Sequence, residues 1–323
     1  MRRLAHPFWT LVSIRAAFWA ATAFALLWAP LPTDALPGTG AYGAWGDLFF
    51  GAFAQWDAQW FVKVAAHGYD PTSAAFFPLY PALVHGLAWV FRSELVAGTL
   101  LSLASAGAAA WALHELARPL LGRGGARDAV LYLALFPTAY VFTAVYSDAL
   151  FLALSTGAFL AALRGRSWTS GVLGGLAVAS RLVGIALLPA LLYLLWPRRE
   201  KQALRPLPLL LLPGAVGLYA LYLHHAVGDW MAWRHAQTGW ERESGALGPL
   251  TGLWWAIQAA GHGARDLLLH LPSGLAFTQA DQVELWNVFS LVLFAALVWL
   301  TWVAWRRLGP AFGLYSAATL VVI

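Results

Sequence analysis

The 323-residue chain contains no cysteine, and only 11% of its residues are charged. Without cysteine there is no disulfide framework, no thiolate nucleophile and no thiolate metal site. A soluble domain carries about 25% charged residues, so the shortage leaves too little polar surface to cover a water-soluble particle. No Asp-x-Asp pair occurs, so a divalent metal holding a nucleotide diphosphate is not indicated. No Gly-x-Gly-x-x-Gly or P-loop motif and no His/Glu cluster of zinc spacing occurs either. These absences argue against a nucleotide-driven enzyme or pump, and neither a metal nor an organic cofactor is expected.

Sixty per cent of the residues are hydrophobic, and the apolar runs recur along the whole chain. The first runs from about Phe8 to Trp28, and further runs cover 77–91, 95–116, 129–145, 147–163, 167–181, 183–196, 206–226, 283–305 and 310–323. Each is roughly long enough to cross a ~30 Å hydrocarbon core once kinks and tilt are allowed. The sequence therefore predicts an all-α, multi-spanning membrane protein. The net charge of +5 reads as orientation rather than as affinity for nucleic acid, because the basic residues cluster between apolar runs. The clusters are Arg118/Arg123/Arg127, Arg164/Arg166, Arg198/Arg199/Lys201/Arg205 and Arg306/Arg307. Placing them inside with Arg2 and Arg3 puts the first loop, 31–76, and a second region, 227–280, outside. It also sends the tips of two hairpins, near Ser147–Asp148 and Arg181, to the outer face. One conflict remains: the run 77–91, with Pro78 and Pro81, is one crossing too many unless it is re-entrant or lies at the interface, or unless one basic cluster breaks the charge rule.

Five constellations carry chemistry. The first is Phe53-Ala-Gln-Trp56-Asp57-Ala-Gln-Trp60-Phe61-Val-Lys63-Val-Ala-Ala-His67-Gly68-Tyr69-Asp70. Read as a helix, it places Phe53, Asp57, Trp60, Val64 and His67 on one stripe, opposite Gln55, Ala58, Gln59, Val62, Ala65 and Ala66. A carboxylate within an aromatic stripe is expected to be desolvated, with a raised pKa suited to a general base. Equally, Asp57 could cap locally or pair with Lys63. Gly68 is expected to end this helix.

The second constellation is Phe-Phe-Pro-Leu-Tyr80-Pro, a kinked helix start that could also shape a site wall. The third is Tyr146-Ser147-Asp148, an ionisable residue between apolar runs, or simply a helix cap through Ser147. The fourth is Arg181, far from any other charge, beside Gly184, which permits a helix break. Its guanidinium suits a phosphate, or an internal pair with Asp148 or Asp57. The fifth is Gly228-Asp229-Trp230 through Trp240, where His235, Gln237 and Trp240 combine aromatic and hydrogen-bonding groups in the manner of sugar-binding surfaces; Asp229 could cap a helix.

The run WDAQWFVKVAAHGYDPTSAAFFPLYP at 56–81 resembles the signature of the PIG-V-like mannosyltransferases, which include GPI mannosyltransferase II of eukaryotes and bacterial relatives. The resemblance continues at 127–155, at ASRLVGIALLPAL (179–191) and at GDWMAWRHAQTGW (228–240), with Asp148 standing where the family usually has Glu. It implies a helical membrane bundle of the GT-C class, a single domain over 1–323 with a helical outer first loop. It also implies transfer of a hexose, mannose in the family, from a polyprenyl-phosphate donor to an acceptor hydroxyl with inversion. Asp57 would be the base, Trp56 would support it or stack on a sugar, and Arg181 would hold the donor phosphate. Trp60, His67, Tyr69, Tyr80, Tyr146, Asp148, His235, Gln237 and Trp240 complete the expected substrate contacts. The acceptor is left open among glycolipid, glycan and protein, and the membrane is expected to be a bacterial inner membrane, or the endoplasmic reticulum in a eukaryote. Family members continue past residue 323 into an Arg-Tyr motif, so a fragment or shortened variant is expected. A transporter or lipid flippase, or a non-catalytic subunit that kept the fold, are the alternatives.

Overall fold

The structure, a computed structural model, describes residues 2–28, 49–196, 203–238, 249–269 and 279–322. Every regular element among them is helical. Among the described residues, four helices are long and apolar enough to cross a membrane: Trp9–Trp28, Glu94–Leu135, Leu207–Val227 and Val283–Arg307. The chain divides into two compact units, Met1–Gly239 and Trp240–Ile323.

The first unit begins with α1 (Arg2–Trp28), followed by α2 (Asp57–His67), α3 (Leu79–Phe91) and α4 (Glu94–Leu135). The 13 residues of α3 rise only about 20 Å, too short to cross a ~30 Å core alone. The runs 95–116 and 129–145, expected as separate spans, fall on the two limbs of α4, which are two helices parted by a kink at Gly122 (φ 73°, ψ −178°) just after Pro119. Only glycine adopts this backbone without strain. The limbs on either side of the bend both flank α1, because Leu11 packs with Ala106 and Ala110 of one and Val130 and Ala134 of the other. The cluster Arg118/Arg123/Arg127 marks the turn between them. The second limb stops at Leu135 rather than near 145, and residues 139–142 form a 3-10 turn instead.

Two hairpins follow. α5 (Asp148–Leu163) packs against α6 (Ser167–Ser180), and a 3-10 turn at Leu182–Ala186 leads into α7 (Leu187–Leu195). The helix break predicted at Arg181 is present, with that residue extended at φ −156° and ψ 135°. Gly184 makes the break compact: a Cβ there would lie 2.7 Å from the backbone nitrogen of Val178. α6 also approaches the next segment closely, since a Cβ on Gly171 would lie 2.4 Å from the Pro208 carbonyl oxygen. Small residues permit such backbone contact in membrane bundles. α8 (Leu211–Val227) and the short α9 (Ala232–Thr238) complete this unit.

In the second unit, α10 (Pro249–Leu269), α11 (Gln279–Arg307) and α12 (Pro310–Val322) pack in sequence. Gly263 of α10 lies against the Glu284 backbone of α11, and Gly313 of α12 against Trp305.

Candidate active site

A polar site begins with how the segment before α2 is held. Trp19 of α1 donates its indole N–H to the Phe49 carbonyl at 2.7 Å, and its ring meets Phe53 edge-on at 5.4 Å. Phe53 sits in a 3-10 turn, Gly51–Ala54, and its carbonyl accepts from the Val145 N–H at 3.1 Å. The chain then extends through Gln55, and at Trp56 adopts φ 52° and ψ −123° before α2 starts at Asp57. A side chain held in so sparsely populated a region costs about 1–3 kcal/mol, and such strain clusters at functional sites.

This break corrects the expected stripe. Phe53 belongs to a different element from Asp57, so α2 buries Ala58, Phe61, Val64 and Ala65, while Asp57 and His67 are exposed. The desolvated aromatic setting expected for Asp57 is therefore not what the fold supplies. Lys63 Nζ binds Asp70 at 2.6 Å and lies 4.8 Å from the Trp60 ring centroid. Gly68 ends α2 as expected, at φ 83°.

Tyr146 ties this turn to the hairpin tips. The backbone N–H of Asp57 donates to the Tyr146 hydroxyl at 3.2 Å, and that hydroxyl donates to the Gln55 carbonyl at 3.3 Å. One phenol thus brackets the strained residue on both sides. Burial first, then the negative charge of Asp57, pushes the Tyr146 phenol above its ordinary pKa, so it stays a neutral donor. From below, Ser102 Oγ donates to the Tyr146 carbonyl at 3.2 Å, and Tyr80 reaches Ser102 at 2.7 Å and the Gly98 carbonyl at 2.9 Å. Tyr80 is fully buried, and its hydroxyl is engaged by Ser102 and the Gly98 carbonyl. Tyr146, 7% exposed, is likewise occupied by backbone partners.

The two residues after Tyr146 face Arg181. Arg181 Nη1 donates to Asp148 at 2.5 Å and approaches Ser147 Oγ at 3.4 Å. The cap expected from Ser147 is not made: its side chain caps nothing at the start of α5. The guanidinium remains 39% exposed, and among the described residues only Nη1 carries a bond. The two hairpin tips thus meet in one ion pair, adjacent in sequence to the residue that holds the Asp57 turn. Trp56, 69% exposed, lays its ring 5.8 Å from Tyr140 beside this group.

The remaining candidates disperse. Trp60 stacks on Phe76 at 5.9 Å, and Tyr69 donates to the Phe76 carbonyl at 2.7 Å. His67 and Tyr69 line a mostly apolar cavity of about 1190 Å³ between α2, α3, α6 and α8, with small residues such as Gly175, Ala179, Gly214 and Gly217 in its walls. The cavity follows α8 from Leu211 to Tyr222, roughly 17 Å of rise, and touches neither Asp57 nor Arg181 directly. Ala179 brings it within two residues of Arg181 along the chain. His235 Nδ1 binds Asp229 at 2.6 Å beside a second cavity of about 360 Å³ that includes Thr72 and Thr238, away from the Tyr146 group. Asp229 accepts from the Met231 N–H at 2.9 Å, a turn contact just ahead of α9. Gln237 is half-buried on α9, and Trp240 lies outside the described residues.

One residue was missed. Arg15, 5% exposed within the first span, donates to the carbonyls of Ala139, at 2.5 Å, and Ala134. It closes the C-terminal end of α4 and anchors the 3-10 turn that leads to Tyr146. The signal was the one applied to Arg181, a guanidinium deep in an apolar run.

Residues 72–225 match the dolichyl-phosphate-mannose-protein mannosyltransferase family. The chain is also similar to GPI alpha-1,6-mannosyltransferase 2 of Mus musculus, 35% identical over 155 residues that make up 44% of this chain and 31% of that protein. The protein of the same name from Cricetulus griseus is 35% identical over 156 residues, with the same coverage. The one from Rattus norvegicus is 35% identical over 159 residues, covering 46% and 32%. The chain thus spans about a third of the length of these relatives. No solved structure matches it significantly. The family match starts at Thr72, after Asp57, and takes in Tyr80, Tyr146, Asp148 and Arg181.

Proposed function

We propose, from the similarity to mannosyltransferases, that this is a PIG-V-like chain of the GT-C class and that it transfers a mannosyl residue from a polyprenyl-phosphate donor to an acceptor hydroxyl. The observation that carries this reading is the linkage through Tyr146: the backbone of Asp57 and the Asp148–Arg181 pair are held by consecutive residues of one segment.

In this reading Asp57 accepts the proton of the acceptor hydroxyl. The oxygen attacks the anomeric carbon as the bond to the donor phosphate breaks, and the phosphate leaves with that electron pair. Attack opposite the leaving group inverts the centre, which calls for one base on the attacking face. A phosphate leaving group needs positive charge more than a proton, and Arg181 supplies it. The unbonded side of the guanidinium receives the phosphate, with Asp148 keeping the Arg181 fork oriented. Trp56 offers an exposed aromatic face next to the base, suited to a sugar ring. The apolar cavity along α8, of a size and lining suited to an isoprenoid chain, takes the donor tail. The chemistry faces the extracytoplasmic side, where the positive-inside pattern puts the tips at Ser147 and Arg181. Residues 1–323 act as one GT-C-like domain, and the acceptor is a glycolipid, glycan or protein hydroxyl.

Membranes containing the chain, incubated with radiolabelled polyprenyl-phosphate mannose, are expected to yield label in a new glycosidic product. A broken helix and a lipid-sized groove also suit a lipid transporter. Label that crosses the membrane still attached to its polyprenyl phosphate, with no glycosidic product, would favour that second reading.

A further inference from the structure

We infer that Tyr146 is a positioning residue rather than a substrate contact: it acts on the reaction through Asp57, by holding the strained Trp56–Asp57 turn against the hairpin tip that carries Asp148. This rests on the reading above in which Asp57 is the base.

The geometry argues for it from three sides. The Tyr146 hydroxyl is 3.2 Å from the Asp57 nitrogen and 3.3 Å from the Gln55 oxygen, so it spans the residue with φ 52° on both flanks. With both bonds made to backbone and a residue exposure of 7%, the phenol has little left to offer a sugar or phosphate. The segment is fixed from behind as well: Val145 bonds the Phe53 carbonyl, and Ser102 bonds the Tyr146 carbonyl. The carboxylate of Asp57 projects from the residue whose amide is held, while the following two residues of the same segment hold Arg181. The distance between base and phosphate site is therefore set by one short segment. A general base must lie within hydrogen-bond reach of the proton it removes, and misplacement by about 1 Å costs on the order of a hundredfold in rate. Deleting the hydroxyl frees the turn to relax toward φ values ordinary for tryptophan, which re-aims Asp57.

The test is Tyr146→Phe in the full chain, in membranes, with initial rates measured against radiolabelled polyprenyl-phosphate mannose and normalised to the amount of chain. The expected result is a Vmax about ten- to a hundredfold lower with a donor KM within about twofold of the parent. An unchanged Vmax overturns the inference, and so does a donor KM that rises with or without a fall in Vmax, because either result marks a spectator or a direct donor contact. If Tyr146→Phe fails to accumulate, Ser102→Ala loosens the same segment from below and must show the same split, in smaller degree; its absence also overturns the inference. Asp57→Asn run alongside separates the two ideas. Full transfer by Asp57→Asn, or none by the parent chain, removes the reading on which the inference rests. An inactive Asp57→Asn beside an undiminished Tyr146→Phe removes the inference alone.

Discussion

Asp148 accepts a hydrogen bond from Arg181 at 2.5 Å, joining the first residue of one helix to the residue at which the next one breaks. The side chains are 39% and 31% exposed for Arg181 and Asp148 respectively, so the pair is open to an arriving anion. An arginine fork can serve a carboxylate and a phosphate together, whereas a lysine presents one point charge. Arg181→Lys is therefore expected to keep the protein in the membrane, still paired with Asp148. Its donor KM should rise about ten- to a hundredfold, the size of one lost charge-assisted hydrogen bond. Saturation curves with the labelled donor check this, and an unchanged KM would assign Arg181 to structure alone.

Arg15 predicts a stability effect instead. Arg15→Leu removes the partners of the Ala134 and Ala139 carbonyls inside the bundle. Each buried acceptor left unpaired costs about 1–3 kcal/mol. Thermal unfolding in detergent is expected to show a clearly lowered midpoint. Because the anchored turn leads to Tyr146, the residual folded protein should also lose transfer rate.

A pH effect follows from Asp70. The hydrogen bond from Lys63 lowers its pKa from 3.8 to about 2. A carboxylate with a depressed folded-state pKa contributes stability that is present above its unfolded value and lost as pH falls through the folded one. The contribution is thus complete above pH 3.8 and gone below about pH 2. Both partners are well exposed, so it is small, within about 1 kcal/mol. Asp70→Asn should lower the unfolding midpoint slightly at neutral pH, and that difference should close as pH falls through this window.

The legible part of the fold came from charge and apolar length. The tips at Ser147–Asp148 and Arg181 were set on one face by the arginine clusters behind them, and they are found in contact. The break at Arg181 and the end of α2 at Gly68 were legible because each rests on local chemistry, a lone deep charge beside Gly184 and a glycine after a helical run. What local pattern could not provide was the start of α2. Periodicity ran through Phe53 because nothing in the residue types announces a positive φ at a tryptophan. That conformation is imposed from 90 residues away, by Tyr146 and Val145. The same long-range cause hid the occupied hydroxyls of Tyr80 and Tyr146, which looked from sequence like groups free for substrate. Arg15 was missed for a different reason: one arginine in an otherwise apolar first span was absorbed into the hydropathy average.

The proposed transfer requires Asp57 as the group that takes the acceptor proton. Its most direct measurement is mannosyl transfer by Asp57→Asn in membranes, with the labelled polyprenyl-phosphate donor and with the amount of folded chain measured in the same samples. The expected result is normal accumulation and loss of transfer by at least about a hundredfold, the contribution typical of a positioned general base. Transfer at the parent rate by a normally accumulated Asp57→Asn would contradict it.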